Sequence, residues 1–253
     1  MLNYLKSELY RITHTKELYL FTGILCALAF LLNCFLRFWG DHYAITSFSY
    51  SNLVSNPMFF TITGVMLAYI LYEDSQKNGN LKNTVASGIS RIKIFAGECI
   101  ISTAAATFSM VVILAVWILS AETLLLQSGP VLYQDLLWEA VMTWMISIAG
   151  LISGLAFLTL FEKSMLRILA WFLIWFGIPK AFIYLALRFE AFYPAAMWMP
   201  NNFFGVNGTN VNMERCITIW DTAGGMAQCM ISGLIGIIIF AAVGILAIRK
   251  KDL

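Results

Sequence analysis

The sequence predicts an all-α membrane protein with six transmembrane helices, preceded by an amphipathic interfacial helix and interrupted by one short cytoplasmic helix. Composition is the first reason, since 60% of the residues are hydrophobic and only 12% are charged, whereas roughly a quarter carry charge in soluble domains. The length of the apolar stretches and the placement of lysine and arginine are the other two.

Six stretches are long enough to cross about 30 Å of hydrocarbon at about 1.5 Å per helical residue. Transmembrane β-strands need only about ten residues of alternating polarity, so these lengths favour helices. The fifth stretch contains Lys180, and the others contain no acidic or basic residue. They run near Leu18–Leu36, Val54–Tyr72, Cys99–Ala121, Ala140–Phe161, Ile168–Leu187 and Thr222–Ile248.

The basic residues favour a topology with both termini in the cytoplasm. Of the 16 lysines and arginines, twelve then lie on cytoplasmic segments, as the positive-inside rule requires. An unpaired Cys216 on the outside fits a bacterial plasma membrane. The net charge of +2 and the lack of a basic patch give no indication of nucleic acid binding. The cytoplasmic set is Lys6, Arg11, Lys16, Lys77, Lys82, Arg91, Lys93, Lys163, Arg167, Arg249, Lys250 and Lys251.

The first element is predicted to be an amphipathic helix over residues 2–16. Leucine and isoleucine recur at helical spacing, at Leu2, Leu5, Leu9 and Ile12, which indicates one apolar face. Such a helix lies along the inner membrane surface. The alternative is that these residues only extend the first transmembrane helix into the cytoplasm.

A polar connector of residues 73–93 separates the second and third apolar stretches. Asn80 suits the N-cap of a short helix, Gly88 suits the left-handed residue that ends it, and Ser90 suits the N-cap of the next helix. The connector is therefore predicted to hold a short helix on the cytoplasmic side, where a soluble partner can bind it.

The segment 189–221 is predicted to form short helical pieces on the outer face, because prolines interrupt a chain rich in interfacial aromatic residues. The chain shows no repeat and no soluble domain, so residues 1–253 form a single domain. The Gly150/Gly154 pair and the Ser232/Gly236 pair are typical of close helix packing. The turn containing Glu162, Lys163 and Arg167 is interpreted as a solvated reversal.

Residues for catalysis are lacking. The chain contains no phosphate-binding loop and no nucleophilic serine motif, and its two histidines, His14 and His42, fall on opposite sides of the membrane. An enzyme, a bound cofactor and a metal site are therefore not expected in this chain.

Lys180 has two interpretations: it contacts an anionic substrate or a partner's carboxylate, or it snorkels to the outer interface beside a kink at Pro179.

The connector resembles that of membrane permeases of type-2 ATP-binding cassette exporters, and especially the bacitracin and lantibiotic immunity permeases. The resemblance is carried by Glu73 and Asp74 after the second stretch, by Gly79-Asn80-Leu81, and by the run from Ala86 through Ser87, Gly88 and Ser90 to Arg91. The basic C-terminal residues 249–253 are also typical of these permeases, and the length and predicted topology match over the whole chain.

The resemblance implies a multi-pass transport subunit that moves an amphipathic antimicrobial peptide or drug. Two such permeases pair through their second and fifth spans, and a separate cytoplasmic ATPase dimer, which holds the ATP and Mg²⁺, grips a coupling helix at residues 80–91. The expected coupling residues are Glu73, Gly79, Asn80, Leu81, Ser87, Gly88, Ser90 and Arg91. The residues suggested for substrate contact or gating are Lys180, Trp198 and Phe203.

A membrane sensor or assembly scaffold that transports nothing is the alternative. A transporter driven by ions is disfavoured, because the predicted spans lack the acidic residues of a coupling site. The sequence leaves open the substrate, the direction of transport, and whether the paired permeases are identical.

Overall fold

The fold is described from a computed structural model, which covers residues 2–40, 43–77, 84–206, 210–211 and 216–250. Three of the expected coupling residues, Gly79, Asn80 and Leu81, lie outside this part of the chain.

The described residues are predominantly helical, as predicted. The residues Leu173–Gly177 form a π-helix that joins the α-helical segments on either side of it, so that Ser164–Arg188 is one continuous membrane-length helix. The helices are α1 (Leu2–His14), α2 (Lys16–Trp39), α3 (Thr46–Val54), α4 (Phe59–Lys77), α5 (Arg91–Leu124), α6 (Tyr133–Leu160), α7 (Ser164–Phe172), α8 (Ile178–Arg188), α9 (Tyr193–Met197), α10 (Pro200–Val206) and α11 (Ala223–Lys250).

Small elements lie between α8 and α11, the region expected to form short pieces. In addition to α9 and α10, 3₁₀ turns are formed by Glu190–Phe192 and by Ile219–Asp221. A two-stranded antiparallel hairpin pairs Asn210–Val211 (β1) with Cys216–Ile217 (β2). The hairpin is an addition that the helical prediction did not include.

Among the described residues, five helices are long and apolar enough to cross a membrane, and the bent pair α3 and α4 gives a sixth if it is counted as one span. The axes of the pair differ by 65°, and within the stretch predicted near Val54–Tyr72 the long helix begins only at Phe59. Residues 55–58 are not helical. Pro57 explains the break, because it lacks an N–H group and disfavours helical backbone in the residue before it.

Helix α6 lies at the centre of the bundle. In its most apolar stretch of 18 residues, 72% of the residues are buried, against 22% for α2 and 17% for each of Ser164–Arg188 and α11. Glycines allow the close approach: a Cβ at Gly150 or Gly154 would collide with α4, and one at Gly233 or Gly236 with α6. The predicted packing role of Gly150, Gly154 and Gly236 is thus confirmed.

The helices α2, α3 and α5 are joined by a buried polar network that sequence reasoning did not predict. Asn33 Nδ2 donates to Ser120 Oγ at 2.7 Å and to the carbonyl of Trp117 at 3.2 Å. Ser49 Oγ donates to Asn33 Oδ1 and accepts from the Trp117 indole at 3.0 Å. Since Asn33 and Ser49 are fully buried, these bonds spare the apolar core the cost of unsatisfied polar groups.

Helix α1 is a separate element. Thr15 has an extended backbone that divides it from α2, which argues against the alternative of one continuous helix. Tyr4 and Ile12 are buried against the bundle, whereas Leu2 and Leu9 are exposed. The Tyr4 ring lies against Gly97 of α5, where a Cβ would come within 2.5 Å of the ring. The α1 helix therefore has one face on the protein and an apolar edge directed away from it.

We call the end of the bundle that contains α1, the end of α4 and the start of α5 the connector end. The other end, which contains the α3–α4 bend and the described residues of the segment 189–221, is the opposite end.

Candidate functional site

The described part of the connector ends in the turn that the sequence predicted. Thr84–Ala86 is helical, and Gly88 N donates to the carbonyl of Val85 at 2.9 Å. Gly88 has φ +87°, the left-handed conformation that glycine adopts without strain. Ser90 takes the extended N-cap position of α5, although its side chain makes no capping hydrogen bond.

This turn is anchored on one side and open on the other. Val85 and Ile89 are half-buried and pack on the hydrophobic cluster that contains Tyr4, Leu71 and Ile94. Ala86, Ser87 and Gly88 are exposed. The connector thus presents a short surface that is attached directly to the bundle.

Glu73 ties the start of the connector to α7. Its Oε1 accepts from Ser164 Oγ, and it lies 3.4 Å from Arg167 Nη1. Arg167 is only 6% exposed, and it also donates to the carbonyls of Phe161 at 2.7 Å and Glu162 at 2.8 Å. The interpretation of this turn as a solvated reversal is therefore wrong for Arg167, because its guanidinium holds the turn and α4 together.

Further contacts within the connector end join α5 to α11 and α1 to α4. Arg91 Nη1 donates to the carbonyl of Arg249 at 3.4 Å, near the C-terminus of α11. Arg11 of α1 donates to the carbonyl of Leu71 at 3.3 Å, and its guanidinium lies 5.1 Å from the centre of the Tyr72 ring. A displacement of the connector would therefore act on α1, α4, α5, α7 and α11.

At the opposite end, Lys180 lines a cavity of about 400 Å³ beside the α3–α4 bend. Phe59, Ile62, Phe176 and Phe204 give the cavity apolar walls, while polar groups come from residues on three segments. The polar lining consists of Asn52, Ser55, Asn56, Lys180 and Asn201.

The other two residues suggested for substrate contact lie apart from Lys180. Trp198 lines a separate groove of about 350 Å³ between α8 and α11, whose walls are almost entirely apolar. Phe203 is fully buried and stacks edge-on against Phe204. The structure therefore does not bring Lys180, Trp198 and Phe203 into one site, and contact of substrate with Phe203 would require the opposite end to open.

At the opposite end, two side-chain amide groups hold the short helices α9 and α10 in place. Asn202 is 1% exposed, and its Nδ2 donates to the carbonyls of Pro179 at 2.6 Å and Ala196 at 3.1 Å. Gln228 Nε2 of α11 donates to the carbonyl of Met197 at 2.5 Å. These bonds fasten α9 and α10 to both flanking membrane helices.

Glu139 is a second feature that sequence reasoning missed. It is fully buried in α6, and neither carboxyl oxygen has a hydrogen-bond partner among the described residues.

Cys216 of β2 is also buried. Burial, followed by the carboxylates of Asp135, Asp221 and Glu139, raises the pKa of the Cys216 thiol to about 11.

The chain matches no protein-family model, no curated protein and no solved structure. Within the described ranges no group of three or more His, Cys, Asp or Glu residues is placed to hold a metal ion.

Proposed function

We propose that this chain is the membrane-spanning subunit of an ATP-binding cassette exporter, which moves an amphipathic substrate such as an antimicrobial peptide or drug. A separate cytoplasmic ATPase dimer supplies the energy and holds ATP and Mg²⁺. The connector end faces the cytoplasm of a bacterial cell in this proposal, in agreement with the lysine and arginine distribution.

The observation that carries the proposal is the attachment of the exposed turn at residues 84–88 to the bundle. A partner that pushes on this turn meets Val85 and Ile89, which pack on the core. Arg91 and Glu73, near the two ends of the connector, reach α11 and α7. Helices packed at crystal-like density transmit such a displacement as rigid bodies. A connector that served only as a loop would not need these contacts.

The same proposal includes a second permease, identical or homologous. The fifth membrane helix, Ser164–Arg188, is the better candidate for the contact because its apolar window is only 17% buried. Among residues 59–73 of α4, only Met66 and Ile70 are exposed. Most of the second span is therefore used within the subunit, and we assign the main dimer contact to the fifth.

Affinity purification of the chain from its native membrane tests the proposal, with ATP hydrolysis by the co-purified material as the readout. Arg91→Glu is expected to weaken ATPase association by about tenfold or more, since it reverses a charge beside the docking turn. Lys93→Glu is the matched control, because Lys93 is exposed on another side of the same helix turn. Purification without any ATPase would support the scaffold alternative and reject this proposal.

A further inference from the structure

The cavity beside Lys180 has unused hydrogen-bond donors. Asn201 Nδ2 is inaccessible to solvent and has no acceptor among the described residues. Lys180 has no carboxylate partner in that part of the chain, and none of the cavity-lining residues is acidic. Both unused groups are donors, and one carries a positive charge, so the complementary ligand group is an anion with several acceptor oxygens.

The cavity also lies where the chain changes direction. Helix α4 begins at Phe59, within the cavity wall, after the break that Pro57 causes. Irregular backbone at membrane depth is tolerated where it lines a cavity, and the first turn of a helix adds partial positive charge. The partial positive charge at the start of α4 therefore adds to the positive charge of Lys180 in attracting an anion.

An apolar track leads away from the anion-binding groups. Ile62 lines the cavity, and Met66 and Ile70 follow it at four-residue spacing on α4 with 49% and 39% exposure. Lys180 is eight residues from the end of α8 at Arg188, or about 12 Å along the axis. A lysine at that depth can reach the headgroup layer while an acyl chain follows the track.

We propose that this cavity binds the phosphate headgroup of an anionic phospholipid, with Lys180 and Asn201 as the donors and the Ile62–Met66–Ile70 track against one acyl chain. None of the cavity-lining residues carries a carboxylate that could pair with the cationic part of a peptide. This inference goes beyond the transport proposal, since binding needs no ATPase and can be measured on the purified chain alone.

Native mass spectrometry of the chain in detergent, with phosphatidylglycerol and phosphatidylcholine of identical acyl chains, tests the inference. We expect preferential retention of phosphatidylglycerol, a loss of about tenfold in Lys180→Met, and retained binding in Lys180→Arg. Asn201→Ala is expected to weaken binding severalfold. Arg188→Met is the control, because Arg188 is a basic residue at the same end of the helix that does not line the cavity.

Equal retention of the two lipids, or equal binding by Lys180→Met and Arg188→Met, would overturn the inference. Competition separates two sources of phosphate: displacement of the lipid by millimolar inorganic phosphate would indicate a site for free phosphate and would reject the acyl-chain contact. Co-purification with an ATPase is unaffected by any of these outcomes, so failure here leaves the transport proposal standing.

Discussion

The Arg167 guanidinium lies 3.4 Å from the Glu73 carboxylate, although 94 residues separate them in the sequence. The pair joins the end of α4 to the start of α7 at the point where the connector begins. Because Arg167 also donates to the carbonyls of Phe161 and Glu162, its side chain fixes the α6–α7 turn as well. One residue thus couples the connector to the membrane-length helix Ser164–Arg188.

Arg167→Met should lower the free energy of unfolding by about 2 kcal/mol, since it leaves two carbonyls and a half-buried carboxylate without their donor. Thermal unfolding in detergent, followed by tryptophan fluorescence, measures the effect. Lys163→Met removes an exposed charge from the same turn and should change stability by less than about 0.5 kcal/mol. Equal effects of the two substitutions would show that Arg167 acts only through its charge.

Gly88→Ala should destabilise the connector turn by about 1 kcal/mol. The reason is backbone strain alone, since φ is +87° and a Cβ would meet no atom within 4 Å. Gly23→Ala is the matched control, because Gly23 also has open space around it but lies inside the α2 helix without a positive φ. Hydrogen exchange at residues 84–90 should increase in the Gly88 variant only, and unchanged exchange would contradict the strain argument.

The connector turn could be predicted because helix caps and left-handed glycines depend on residues that are close in the sequence. Gly88 and Ser90 stand where a helix must end and another begin, and both take the predicted backbone conformation. Hydropathy similarly predicted the long helices. The α3–α4 bend could have been anticipated from Pro57, which lies inside the second apolar stretch, Val54–Tyr72.

Contacts between distant segments could not be predicted in this way. Arg167 stands in a short polar turn, and its burial follows from the approach of α4, which periodicity does not reveal. Glu139 directly precedes the stretch that begins at Ala140, so a span boundary drawn by hydropathy excluded it. Glu139 lies four residues before Thr143, so the two share one face of a helix. Extending the helical pattern backwards along that face would have found Glu139.

Glu139→Leu should raise the free energy of unfolding by about 1–3 kcal/mol, because it removes a fully buried polar group that has no partner in the described chain. Thermal unfolding at neutral pH is the measurement. Glu122→Leu is the control with the opposite sign, since Glu122 Oε1 accepts from the Tyr50 hydroxyl at 2.7 Å. A Glu139 variant that is less stable than the parent would show that the carboxyl group has a stabilising partner.

Cys216 should react slowly with thiol reagents at neutral pH. A pKa of about 11 keeps the thiol protonated, so at pH 8 the thiolate fraction is about a hundredfold below that of an ordinary cysteine. Since the pKa is raised, reactivity should increase with pH up to about 11 and not level off near 9. A cysteine introduced at the exposed Glu190 is the comparison, and equal rates at pH 8 would contradict the burial of Cys216.

Single introduced cysteines at three exposed positions, Ser7, Ser87 and Glu190, should establish the topology. Residues 87 and 190 are separated by three membrane-length helices, α5, α6 and Ser164–Arg188, so we expect them on opposite sides however the bent pair is counted. An impermeant reagent on intact cells should label the cysteine at 190, and the cysteine at 87 only after permeabilisation. The reverse pattern would invert the orientation.

The cysteine at position 7 decides whether α3 and α4 together cross the membrane. Helix α1 contacts the C-terminal part of α4 through Arg11 and Leu71, and the start of α5 through Tyr4 and Gly97. Because α2 leads away from this end, the bent pair has to return the chain to it. We therefore expect positions 7 and 87 to be labelled alike, which gives six spans. Labelling of the two from opposite sides would make the α3–α4 pair re-entrant and reduce the number of spans to five.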